Sequence, residues 1–123
     1  MSETSGRGGE EIRLTIPALA DYARIARLTV TGLASRLDFP YDDVEDLRIA
    51  VGEICSVLLG EGEGRLGFVC HLAPDELAVE AHRDPPGPTG PVTDLTRQIL
   101  GAVVDVAEID EDRGRIRVAK RRR

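Results

Sequence analysis

The 123-residue chain has no tryptophan and only two phenylalanines and two tyrosines, so it is poor in the aromatic platforms on which proteins stack single-stranded bases. No stretch approaches the roughly 18 consecutive apolar residues that span a bilayer, and the opening "MSETSGRGGE" lacks the apolar run of a secretory signal. A cytoplasmic protein with no membrane attachment is the expectation. The two cysteines, Cys55 and Cys70, lie in apolar segments without metal-ligand spacing and read as buried free thiols. His71 and His82 stand at opposite ends of one predicted hairpin with no third ligand nearby, so no metal site is expected. Acids outnumber bases 22 to 16, yet seven of the bases lie from Arg113 onward, beyond the last acid, Asp112. An acidic body argues against a broad nucleic-acid-binding face and for a protein partner carrying basic helices.

The length suits one domain with a real core. Residues 1–10 are small, polar and Gly-rich and read as a disordered N-terminal segment, with the domain over 11–120 and a basic tail at 121–123. "EIRLTIP" alternates Ile12, Leu14 and Ile16 with polar residues and predicts a strand stopped by Pro17. From Ala18 to Leu37, the residues Tyr22, Ile25, Ala26, Thr29, Leu33 and Leu37 recur at helical spacing. A second helix follows "DFP", with Asp42 or Asp43 as its cap, Val44, Leu47, Val51, Ile54 and Leu58 as its buried stripe, and an end near Leu59 before "GEGEG".

"RLGFVCHL" and "ELAVEAH" around the turn-forming "APDE" predict a hairpin. "RDPPGPTGP", with four prolines and two glycines, must be a loop. A third helix starts at Thr93 or Asp94, with Leu95, Ile99, Ala102 and Val103 at helical spacing, and ends near Asp105. The chain closes on a hairpin around "DEDRG" with Ile116 and Val118 inward and Arg115 and Arg117 outward. The fold class is α+β: a two-layer sandwich with a mixed, mostly antiparallel sheet covered on one face by about three helices. Arg13, Glu80, Arg115 and Arg117 belong to its outer face.

The element order and the segments "ARLTVTGLASRLDF", "VEDLRIAVGEICSVLL" and "VVDVAEIDEDRGRIRVAKR" resemble the bacterial anti-sigma regulatory factors with a histidine-kinase-like (GHKL) ATPase fold, over roughly residues 11–121. The resemblance implies a regulator that holds a sigma factor away from RNA polymerase, usually as a homodimer, and that is released by a STAS-type anti-anti-sigma partner. Many members phosphorylate a serine of that partner with MgATP.

The family's second helix carries L-A-V-x-E-x-x-x-N, the glutamate for proton transfer and the asparagine for magnesium. Glu53 matches the first, but Val57 stands at the second and offers no hard oxygen ligand. The family's D-x-G-x-G motif aligns with Arg83, Pro85 and Gly87, and arginine cannot accept the adenine hydrogen bond. Asp84 could serve only through a one-residue slip that turns its side chain to the other face. The glycine-rich lid is reduced to Gly90 between prolines, and Asp94 would repel phosphate.

These replacements imply the fold without competent MgATP binding and with no other cofactor. Glu53 is then either a solvated residue beside the core or a catalytic remnant, and Asp84, Gly87 and Gly90 are the candidates for nucleotide contact. By the same resemblance, Arg27 helps to grip sigma and anti-anti-sigma proteins, with Tyr22 and Arg24 beside it; its plain alternative is a surface arginine. An active serine/threonine kinase using Glu53 and Asp84 is the enzymatic alternative to the binder.

Overall fold

The computed structural model describes residues 10–59 and 63–123. The expectation of a disordered N-terminal segment therefore lies, apart from Glu10, outside the described residues. The chain runs through β1 (Glu10–Pro17), a single 3-10 turn (Ala20–Tyr22), α1 (Ala23–Arg36), α2 (Tyr41–Leu58), β2 (Arg65–Ala73), β3 (Glu76–Asp84), α3 (Asp94–Val103), β4 (Val106–Asp110) and β5 (Arg115–Arg121). The strands form one sheet in the order β1-β2-β3-β5-β4.

Every bonded pair in that sheet is antiparallel, which corrects the expected mixed sheet. Two helices between β1 and β2 carry the chain down and back, so those strands meet antiparallel. A single helix between β3 and β4 leaves them parallel, but β5 pairs with both and separates them.

Period-two alternation sorts the sheet into two faces. Leu66, Phe68, Cys70, Leu72, Leu77, Val79, Ala81, Ile116 and Val118 are buried beneath the helices. Both cysteines are free and buried, and burial pushes each thiol up to about 11, with Arg27 opposing that rise at Cys55. The outer face carries the expected charges. Glu11, His71, Glu80, Arg117 and Glu108 make a diagonal row across all five strands, with side-chain nitrogen-to-oxygen separations of 3.5 to 3.9 Å.

The α2 stripe is as expected, with Leu47, Val51, Ile54 and Leu58 buried and Val44 packed against the core. The α1 stripe is not. Ala23, Ala26, Val30 and Ala34 face inward, while Tyr22 and Ile25 are exposed. Relative to the expected stripe, the buried face is turned by about 80° at 100° per residue. Small side chains let α1 approach α2, where Ala50 is also fully buried, and the bulkier residues are left outside. The α3 stripe is likewise Thr96, Leu100 and Val103, with Leu95 exposed. Thr93 caps α3, its hydroxyl accepting from the Thr96 N–H at 3.1 Å.

Candidate functional site

The C-terminal end of α2 is where the family's nucleotide chemistry would be assembled. A helix leaves its last carbonyls without intrahelical partners. Here two of them are satisfied by the very segments that align with the nucleotide motifs. The Arg83 guanidinium donates from Nη1 to the Leu58 carbonyl at 3.1 Å, and the Gly90 N–H donates to the Val57 carbonyl at 3.0 Å. The Val57 side chain, at the magnesium-ligand position, is 3% exposed and belongs to the apolar core.

The proline-rich loop is held from its other side too. The N–H groups of Arg83, Gly87 and Thr89 donate to the carbonyls of Gly114, Arg113 and Glu111, at 2.9, 3.3 and 2.9 Å. The segment 83–90 is thus strapped between α2 and the β4–β5 turn. Gly114 is what lets it lie so close. Its φ of 69° is left-handed, and a Cβ there would run into the Gly87 carbonyl oxygen and the Arg83 side chain.

Arg83 pairs in register with Leu66 and Asp84 with Arg65, so Arg83 holds the inward position and Asp84 is exposed at the strand end. The β3 register contains no slip that would bring Asp84 inward. Glu53 lies one turn before Val57 on α2 and is half-buried; its carbonyl accepts from the Ser56 hydroxyl at 3.0 Å. Asp84, Gly87 and Gly90 share the strap, but the backbone of both glycines is engaged within the protein. Among the described residues, no three His, Cys, Asp or Glu side chains converge as metal ligands.

The outer side of α1 is the second candidate. Leu19, Tyr22, Ile25 and Leu28 are 47%, 38%, 43% and 59% exposed and recur every third residue. Contiguous exposed apolar surface on a small protein marks contact with a partner more often than chance. Around the helix axis Tyr22 stands at one edge of this face, Arg24 lies about 40° beyond Leu28 at the other, and Arg27 lies about 100° beyond Leu28. Arg27 is half-buried and close enough to Cys55 for its charge to act on the thiol.

A third cluster was missed by sequence reasoning. Lys120 is 4% exposed, and its ammonium lies 3.0 Å from Asp46 Oδ2 and 3.7 Å from Asp43 Oδ1, Asp43 being buried as well. The Arg123 N–H donates to Asp43 at 2.9 Å, and Asp105 accepts from the Arg121 N–H and the Arg123 guanidinium at 2.7 Å each. The terminal residues, expected to trail as a basic tail, are tied to the start of α2. The acids expected to cap α2 are correspondingly not caps: Pro40 is the N-cap residue and no side chain bonds there. The available signal was alternation, since Ile116, Val118 and Lys120 share the inward face.

These features place the chain among α+β sandwiches of the GHKL type, with three helices over an antiparallel sheet and the family's motif positions gathered at the end of the second helix. Serine-protein kinase RsbW of Halalkalibacterium halodurans is 34% identical over an alignment of 128 residues, covering 85% of this chain and 78% of that protein. RsbW of Bacillus cereus strain B4264 is 41% identical over 76 residues, covering 58% of this chain and 48% of that protein. The chain belongs to the RsbW family of anti-sigma regulators. The crystal structure of the RsbU and RsbW domains of Rv1364c from Mycobacterium tuberculosis shares the fold, with a TM-score of 0.69 at 17% identity over 93% of this chain and 32% of that one. No family profile matches the sequence.

Proposed function

We propose that this protein is an anti-sigma factor that sequesters a sigma factor by covering its polymerase-binding surface, and that it does so without bound MgATP. Family membership supports the first half. The strap across the end of α2 supports the second: the position of the magnesium ligand is a buried valine, the position of the adenine acceptor is an arginine, and the lid's remaining glycine already bonds α2. A magnesium-bound triphosphate needs hard oxygen ligands and free backbone donors, and this donor set does not fit it.

The apolar face of α1, with Tyr22, Arg24 and Arg27, is the surface we assign to the sigma factor, to a STAS-type anti-anti-sigma competitor and to a second protomer in a homodimer. The protein would work in the cytoplasm; no helix among the described residues is long and apolar enough to cross a membrane. The relatives' name, serine-protein kinase, favours a second reading in which Glu53 acts as base and Asp84 replaces the missing acceptor. Calorimetric titration with MgATP, together with transfer of labelled phosphate to a partner serine, separates the two. No saturable heat and no transfer are expected, and micromolar binding or labelled product would sink the nucleotide-free reading.

A further inference from the structure

On the rim of the sheet, beside the β4–β5 turn, lies a cavity of about 440 Å³ lined by His82, Arg83, Pro86, Arg113 and Arg115. No carboxylate is among its lining residues, in a chain where acids outnumber bases 22 to 16. Three guanidinium groups around one hollow repel one another, and such a cluster is relieved by an anion.

Each lining residue is positioned by the fold. Arg83 is anchored by its Nη1 bond to Leu58, which leaves its other donors free of that contact. The His82 ring lies across Gly67 of the neighbouring strand, where a Cβ would sit 2.5 Å from Cε1. Arg113 and Arg115 flank Gly114, whose left-handed φ turns the hairpin and sends the chain back into β5.

The nearby acids are committed elsewhere. Asp110, in register with Arg115, accepts from the Arg113 N–H at 3.2 Å, and Glu111 bonds Arg97 at 2.7 Å. An adjoining cavity of about 340 Å³ shares His82 and Arg115 and includes Glu80 and Glu108, both of which face Arg117 at 3.9 Å. Asp84 and Asp112, next in sequence to Arg83 and Arg113, are exposed and outside the lining. Among the described residues, the guanidinium groups of Arg113 and Arg115 have no hydrogen-bond or ion-pair partner.

We propose that this cavity binds a phosphate monoester dianion, gripped by Arg113 and Arg115, with Arg83 and His82 completing the donor set. A guanidinium fork matches two phosphate oxygens at once, which makes arginine the fitting residue for such an anion. The ligand is either a free phosphorylated small molecule or a phosphorylated side chain of a partner; the chemistry is shared. The site shares Arg83 with the strap but needs neither Val57 nor Gly90, and its grip rests on Arg113 and Arg115, which take no part in the nucleotide reading.

The test is a titration of the full chain, followed by NMR of its arginine and histidine side-chain signals at constant ionic strength. Inorganic phosphate, a phosphoserine peptide and the unphosphorylated peptide are compared. Saturable shifts at Arg113, Arg115 and His82 are expected with phosphate. Affinity should fall about tenfold in Arg113→Ala or Arg115→Ala, whose side chains are exposed and whose loss leaves the fold intact. Equal affinity for phosphate and phosphopeptide identifies a small phosphorylated ligand; much tighter binding of the phosphopeptide identifies a modified partner. Failure to saturate at about 10 mM phosphate, or undiminished binding when Arg113→Ala and Arg115→Ala are combined, overturns the proposal.

Discussion

Replacing Lys120 by methionine keeps most of the aliphatic stem and removes the ammonium, and so isolates the charge of the buried C-terminal clamp. Asp43 is 5% exposed, and without Lys120 it would keep only the Arg123 N–H as a donor, while the more exposed Asp46 could turn to water. Breaking a buried ion pair by removing one partner costs about 3–5 kcal/mol, and the surviving hydrogen bond puts this case near 3. For a domain of this size that corresponds to a fall in Tm of roughly 10 °C. Urea denaturation followed by far-UV circular dichroism measures it. Replacing both partners, Asp43→Leu with Lys120→Met, should recover most of the loss, because neither charge is then stranded. A Lys120→Met cost below about 1 kcal/mol would show a solvated surface pair and refute the reasoning.

Gly114→Ala should cost at least about 1 kcal/mol, since the new Cβ meets a left-handed backbone and the Gly87 carbonyl together; an unchanged urea midpoint would mean that the strap is not packed there. The double variant Ile25→Ser, Leu28→Asn should leave stability within about 0.5 kcal/mol per site while weakening self-association or sigma capture about tenfold, read by sedimentation and by affinity measurement. Hydrogen bonds from the Arg121 N–H and then from Arg123 hold the Asp105 carboxyl below its ordinary range. A depressed carboxyl contributes stability above its unfolded value, and that contribution fades as pH falls through the folded one. Wild type should therefore lose stability more steeply below about pH 4 than Asp105→Asn, and parallel curves would remove Asp105 from the acid response.

Much of this architecture is readable in the pattern of residues because the sheet and α2 obey simple periods. The larger inward residues of the hairpin, Leu66, Phe68, Leu72, Leu77 and Val79, fall at even spacings along their strands, and the buried stripe of α2 recurs at helical spacing. α1 offers two, one of alanines and valine and one of larger residues, and hydrophobicity favours the larger. Close packing against Ala50 favours the smaller, and only the packed structure displays that preference. Lys120 continues the inward alternation of Ile116 and Val118, but that two acids 74 and 77 residues earlier meet it there is a long-range pairing that no local pattern displays. At the end of α2 the missing ligands are visible as substitutions, Val57 and Arg83. That Arg83 and Gly90 would take up the helix's own carbonyls depends on loop packing between distant segments, which no local pattern encodes.

The most direct test of a sigma-binding protein that needs no nucleotide is the affinity of the nucleotide-stripped chain for its sigma factor, measured with and without MgATP after affinity capture has identified that factor. Equal dissociation constants in the two conditions are the expected result. Binding that tightens about tenfold or more when MgATP is added would contradict it, since linkage then requires a nucleotide site coupled to the sigma-binding surface.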